Sequence, residues 1–169
     1  DRLDFLMAER RRGRKIVGLL GKVLFDLEMP YGHGPAHADM RDWFDHTIEI
    51  ARASSHLHLV IKPHPHEIRE EIALYPSEVL KDWLPADLPP NIHFLDHNEF
   101  NVFELTEVLD VALLWNGTAA LELGVLGVPT IIGAYYGDLN YPVGHFLPES
   151  RADYEQLLNW QTSVSGLTP

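Results

Sequence analysis

Apolar and polar positions fall in blocks along the chain, and the blocks predict helices and strands in succession. Residues 3–12 place Leu3, Leu6 and Met7 at helical spacing. Lys15 to Leu20 is a continuous apolar run of the kind a strand covered on both faces shows, and Val23-Leu24-Phe25 extends it beyond Gly21. A turn-rich loop fills 26–35. Asp39 to Ala53 reads as an amphipathic helix with Met40, Phe44, Ile48 and Ala51 inward. Leu57 to Ile61 predicts a second strand. Glu67 to Ala73 predicts the opening of a helix, and helix and loop residues fill 74–90. Ile92 to Leu95 predicts a third, short strand. Asn101 to Leu109 reads as a helix capped by Asn101, with Val102, Leu105 and Val108 inward. Asp110 to Leu114 is the fourth strand. A helix apolar on all sides except at Glu122 starts at Thr118 and ends at Gly127. Val128 to Ile132 is the fifth strand, with Pro129 at its edge. A Gly- and Tyr-rich loop over 133–142 and a closing helix from Ala152 to Trp160 follow.

Strands alternating with helices imply right-handed crossovers and an α/β fold. The expectation is a Rossmann-like parallel sheet of five or six strands with helices on both faces. Ligands of such sheets bind beyond the carboxyl ends of the strands. The loops at 26–35, 62–66, 116–118 and 133–141 all follow strands, so they are expected to converge at one edge.

Two of these loops carry the clearest chemistry. Asn116-Gly117 is a turn signal, and Gly117 tolerates a positive φ. Thr118 is a suitable N-cap, and the N–H groups of a helix start suit a phosphate. Glu122 stands one turn beyond Thr118 on the same helix face, where a carboxylate can accept hydrogen bonds from the vicinal hydroxyls of a ribose. A packing helix whose Glu122 reaches solvent at a frayed edge is the alternative. Lys62-Pro63-His64-Pro65-His66 follows the second strand, and its two prolines fix where Lys62 and His64 point. Lys62 brings full charge and His64 at least one N–H donor, together a phosphate clamp. A turn histidine bonded to nearby backbone is the alternative for His64. Asp26 in the first loop and Tyr136 in the last complete the binding candidates; Tyr136 is of a type that stacks on a base or sugar, or packs.

Charge narrows the partners. The 169 residues carry a net charge of −12. Six of the 13 basic residues lie within residues 1–15, leaving seven basic against 22 acidic residues over the rest. That balance argues against broad nucleic-acid binding, which needs a basic surface. The run Glu9-Arg10-Arg11-Arg12-Gly13-Arg14-Lys15 reads as a solvated linker, or as a surface for peripheral contact with anionic lipid of the inner membrane. Residues 1–14 are expected to form an N-terminal helix and linker, and 15–169 the Rossmann-like domain. With no cysteine, thiolate metal sites and disulfides are excluded. The alternating His56, His58, His64 and His66 invite a zinc reading, but His56 and His58 are placed ahead of the strand core and no second ligand cluster follows, so no metal is expected. No signal peptide is visible, and the default location is cytoplasmic. The chain begins without Met, as a piece of a longer protein would.

Lys62-Pro63-His64-Pro65, with Asn116-Gly117-Thr118-Ala119-Ala120-Leu121-Glu122 and Gly127-Val128-Pro129-Thr130-Ile131, resembles the nucleotide-binding half of GT-B glycosyltransferases. It is most similar to the capsule polysaccharide biosynthesis group with its β-Kdo transferases, and more distantly to bacterial sialyltransferases and teichoic-acid glycerophosphotransferases. The resemblance covers roughly residues 15–160. It implies a donor-binding domain for a CMP-activated sugar such as CMP-Kdo, with no cofactor beyond that substrate. By position, His64 resembles the donor-phosphate histidine and is the catalytic candidate, acting electrostatically or as a general acid, and Thr118 with its adjoining amides resembles the phosphate-binding turn. Glu122 resembles the ribose carboxylate. The resemblance also implies a glycan or glycolipid acceptor bound by an N-terminal domain that is missing here, without which the piece would turn over poorly. A CDP-glycerol or sugar-phosphate transferase, a UDP-sugar epimerase and a non-catalytic nucleotide-binding module are the alternatives.

Overall fold

The structure is a computed structural model and describes residues 3–24, 32–69, 78–134 and 145–162. Among the described residues five α-helices and six strands follow one another: α1 (Asp4–Arg11), β1 (Lys15–Leu20), α2 (Met40–Ala53), β2 (Leu57–Lys62), β3 (Ile92–Phe94), α3 (Val102–Thr106), β4 (Val111–Leu114), α4 (Ala119–Val125), β5 (Thr130–Ile132), β6 (His145–Phe146) and α5 (Arg151–Leu158). The strands form one sheet in the order β3-β2-β1-β4-β5-β6, every pair parallel. The chain adds strands outward from β1 on one side, returns, and adds the rest on the other. A crevice therefore opens between the carboxyl ends of β1 and β4, where ligands of doubly wound sheets sit.

The two-residue period of the strands builds two cores. Val17, Leu19, Leu59, Ile61, Val111 and Leu113 face α2 and α5 and pack with Trp43, Phe44, Tyr154 and Leu157. Ile16, Leu20, Val60, Ala112 and Leu114 face the other way and pack with Leu3 and Leu6 at α1, Leu105 of α3, and Ala120 and Leu123 of α4. Both faces are covered, so the central strands are apolar throughout. Asp39 caps α2 by accepting from Asp42 N at 2.8 Å, and Met40, Phe44, Ile48 and Ala51 are all buried.

Several expectations require correction. β1 stops at Leu20, and Val23 and Leu24 lie in the loop after it. No α-helix opens at Glu67: Pro65–Ile68 is a 3-10 turn and Arg69 leaves it with extended backbone. The reason is Glu67 itself, which turns inward to accept a bond from Leu80 N instead of facing solvent. His58 lies within β2 and is buried, not ahead of the strand. β6, two residues long, was not foreseen as a strand.

α4 also differs from its expectation. It is not buried all round: Glu122, Leu126 and Val125 are exposed, Val125 to 83%. Thr118 holds the N-cap position, but its backbone is already helical and its side chain caps nothing. The other end agrees with the sequence. Gly127 N bonds Gly124 O at 3.1 Å and Val128 N bonds Leu123 O at 3.0 Å, with Gly127 at φ +78°. That pair of bonds ends a helix on a left-handed glycine.

Candidate functional site

The crevice at the reversal of strand order is a cleft of about 690 Å³. Its lining comes from the segments after β1 (Gly21, Lys22), β2 (Lys62, Pro63, His64, Pro65), β3 (residues 97–104) and β4 (Asn116, Gly117, Thr118), with Ala119 and Glu122 from α4. Six of the eight donor-binding candidates from the sequence thus share one cleft: Lys62, His64, Asn116, Gly117, Thr118 and Glu122. Asp26 and Tyr136 lie outside the described residues. Of the four loops expected to converge, 62–66 and 116–118 line the cleft. The described ends of the other two, at Gly34 and Gly133, touch each other instead: a Cβ on Gly34 would overlap Gly133 O at 1.8 Å.

The floor is cationic. Lys62 ends β2 and is only 5% exposed, and its Nζ donates to His97 O at 3.2 Å. Burial pushes its ammonium below the usual lysine range, while Glu104 and Glu99 pull it back up. Lys22, after β1, donates from Nζ to Asn116 Oδ1 at 2.8 Å. Asn116 is itself buried in the turn that leaves β4, where Gly117 adopts φ +125°. The turn into α4 completes this wall, with Ala120 N donating to Gly117 O at 3.3 Å and Leu121 N to Thr118 O at 3.0 Å. With seven residues, α4 is short, so the two lysines supply most of the attraction for an anion.

His64 is held from behind. Its Nδ1 accepts from His66 N at 3.1 Å, so the sequence alternative of a backbone-bonded turn histidine is met on that nitrogen. This bond requires an unprotonated Nδ1, and the neutral ring therefore carries its proton on Nε2 as a donor. Beneath it, Glu67 is buried and accepts from Leu80 N at 3.1 Å, with His97 Nε2 at 3.0 Å from its other oxygen. Burial raises the Glu67 carboxyl above its usual range, against the bonds from His97 and Leu80 that favour the charged form. The result is a brace: the His97 ring ties the β3–α3 loop to the 3-10 turn, and the His97 carbonyl holds Lys62.

Sequence reasoning missed Lys22, His97, Glu67 and the residues from 98 to 104. Lys22 was findable, since it follows a strand end as Lys62 does. Among the described residues no group of three or more His, Asp or Glu side chains is arranged to hold a metal ion, and no helix is long and apolar enough to cross a membrane.

No protein-family model matches the chain, and no curated protein matches it. Solved structures similar in fold include the following two. The glycotransferase of kitacinnamycin shares 20% identity at a TM-score of 0.42, over 75% of this chain and 26% of that one. The spinosyn rhamnosyltransferase SpnG shares 17% identity at a TM-score of 0.44, over 75% of this chain and 27% of that one. The chain spans about a quarter of the length of either.

Proposed function

We propose that this domain binds the activated donor of a glycosyltransferase, a nucleotide sugar. The observation that carries the reading is the meeting of Lys22, Lys62, His64, the Gly117–Thr118 turn and Glu122 in one cleft at the reversal of strand order. The phosphate and the ribose of a nucleotide sugar each have a counterpart there. Phosphate oxygens suit the two ammonium groups, the Gly117–Thr118 turn and the Nε2–H of His64. The ribose diol suits Glu122, which is exposed at the mouth and one turn from the phosphate end.

In transfer, negative charge grows on the leaving phosphate as the bond to the sugar's anomeric carbon breaks. Donors already aimed at that phosphate stabilise the charge without reorganising. His64 does so as a neutral imidazole, because protonating Nδ1 would set two N–H groups against each other at His66. It acts as a hydrogen-bond donor and not as a general acid. The acceptor, a glycan or glycolipid, is held by a second domain across the cleft on this reading. The donor we favour is CMP-linked, such as CMP-Kdo, and the process is assembly of a capsule or surface polysaccharide in the cytoplasm; this finer assignment rests on the Lys62-Pro63-His64-Pro65 resemblance.

A thermal-shift panel of CMP, CDP, UDP, GDP and NAD tests the reading, since a ligand of the folded state raises the melting temperature by mass action. CMP giving the largest rise supports it. A preference for UDP moves the reading to the epimerase-like alternative, and no response to any nucleotide removes it.

A further inference from the structure

We propose that Phe103 is the platform on which the base of the bound nucleotide stacks, an assignment that rests on the nucleotide reading above. Phe103 is 59% exposed although it is a large apolar side chain, and it lines the cleft. Its orientation is built in. Val102 packs against the core beneath α3 and Leu105 is buried in it, so helical spacing turns position 103 outward. The start of α3 is fixed by a reciprocal cap: Asn101 Oδ1 accepts from Glu104 N at 2.9 Å, and Asn101 N donates to Glu104 Oε2 at 2.8 Å. Thr106 Oγ1 closes the same turn by donating to Phe103 O at 2.6 Å. The ring is therefore presented to the cleft by a rigid turn, not by a loose loop.

Among the described residues, the groups already assigned leave one part of a nucleotide without a counterpart. Lys22 and Lys62 suit the phosphate and Glu122 suits the ribose, but neither offers a face to a flat heteroaromatic ring. Phe100 is buried in the core below, whereas Phe103 is open. A phenyl face covered by a base leaves water on one side, and stacking of this kind tolerates any base, because every base has a π-face. Phe103 thus contributes affinity for the base without choosing among bases; choice falls to groups that read the edge of the ring.

Calorimetric titration of the 169-residue chain with CMP, AMP and ribose 5-phosphate tests this. Phe103→Ala should weaken CMP and AMP alike, each on the order of tenfold or more, and leave ribose 5-phosphate unchanged. Phe103→Trp should keep or tighten both nucleotides. Phe103→Leu, of similar bulk but without a flat face, should behave as the Ala variant with the melting temperature of the wild type. Equal CMP affinity in wild type and both the Ala and Leu variants overturns the platform and leaves the nucleotide site standing. Equal loss of CMP and ribose 5-phosphate also overturns it, since the ring would then shape the cleft and not meet the base. Wild type that binds neither nucleotide overturns the platform and the nucleotide reading together.

Discussion

Lys22 and Asn116, 94 residues apart in sequence, meet across the crevice between β1 and β4, with Nζ donating to Oδ1 at 2.8 Å. The bond ties the segment after β1 to the turn that starts α4, and it holds an ammonium group at the point where the sheet reverses its strand order. Lys22→Ala should therefore weaken nucleotide binding on the order of tenfold, the size of one charge-assisted hydrogen bond. It should also flatten the dependence of affinity on salt. Calorimetry at two ionic strengths reads both effects.

Glu122 is exposed at the cleft mouth, so its role is testable without endangering the fold. Glu122→Gln keeps the shape and some hydrogen bonding but removes the charge-assisted part, worth ~1–2 kcal/mol. Nucleotide affinity should fall accordingly, with the melting temperature unchanged. A deoxyribose nucleotide should show a smaller difference between the two proteins, because it lacks one of the hydroxyls that Glu122 would accept from.

The brace of Glu67 with His97 and Leu80 is structural in the first instance. Glu67→Ala leaves Leu80 N and the His97 ring without their buried acceptor, and should cost about 2–3 kcal/mol in denaturant unfolding. It should weaken nucleotide binding as well, because His97 O then holds Lys62 less firmly. Glu67→Gln retains one acceptor oxygen and should recover part of both losses.

How much of this was legible in the sequence differs from element to element. β1, β2 and β4 stood out because strands buried on both faces are largely apolar, and α2 because of its apolar stripe. β6 was not legible: His145 and Phe146 are only half-buried and carry no period. Glu67 misled because a glutamate after two prolines looks like a helix start, whereas its carboxylate is used in the interior. Glu122 was placed correctly beside the turn, yet on a helix thought to be enclosed; Val125 and Leu126 are exposed apolar residues that a periodicity argument assigns to a core. Lys22 was overlooked because the apolar run at 23–25 read as more strand.

Acid should loosen the α2–α5 face of the fold. His37 Nε2 bonds His46 Nδ1 at 2.9 Å, and His46 Nε2 in turn faces Glu155 Oε1 at 3.1 Å. Burial first, then His46 and Arg151, lower His37 to about 4, while Asp42 opposes the shift. A histidine held low in the folded state binds fewer protons there than in the unfolded chain. Stability is therefore intact above pH ~6.5 and is lost as pH falls toward 4, by up to about 3 kcal/mol from this group. Urea unfolding at pH 7, 5.5 and 4.5 should show the decline, and His37→Gln should reduce its slope.

On the proposed function, His64→Ala removes a donor from the leaving phosphate. In the full-length transferase that the proposed function assumes, turnover should fall about tenfold to a thousandfold, by analogy with the loss of one preorganised donor. Because the neutral ring is the working form, the rate should not decline as pH rises through the usual histidine range, as it would for a general acid. A pH–rate profile distinguishes the two roles.

The central claim is that a nucleotide occupies the cleft between the carboxyl ends of β1 and β4, and amide NMR of the labelled chain titrated with CMP tests it most directly. Saturable shifts at Gly21, Lys22 and residues 116–119, with Lys15, His56 and Asp110 at the opposite edge of the sheet unmoved, are the predicted result. Saturable shifts confined to that opposite edge, or none anywhere at millimolar CMP, would contradict it.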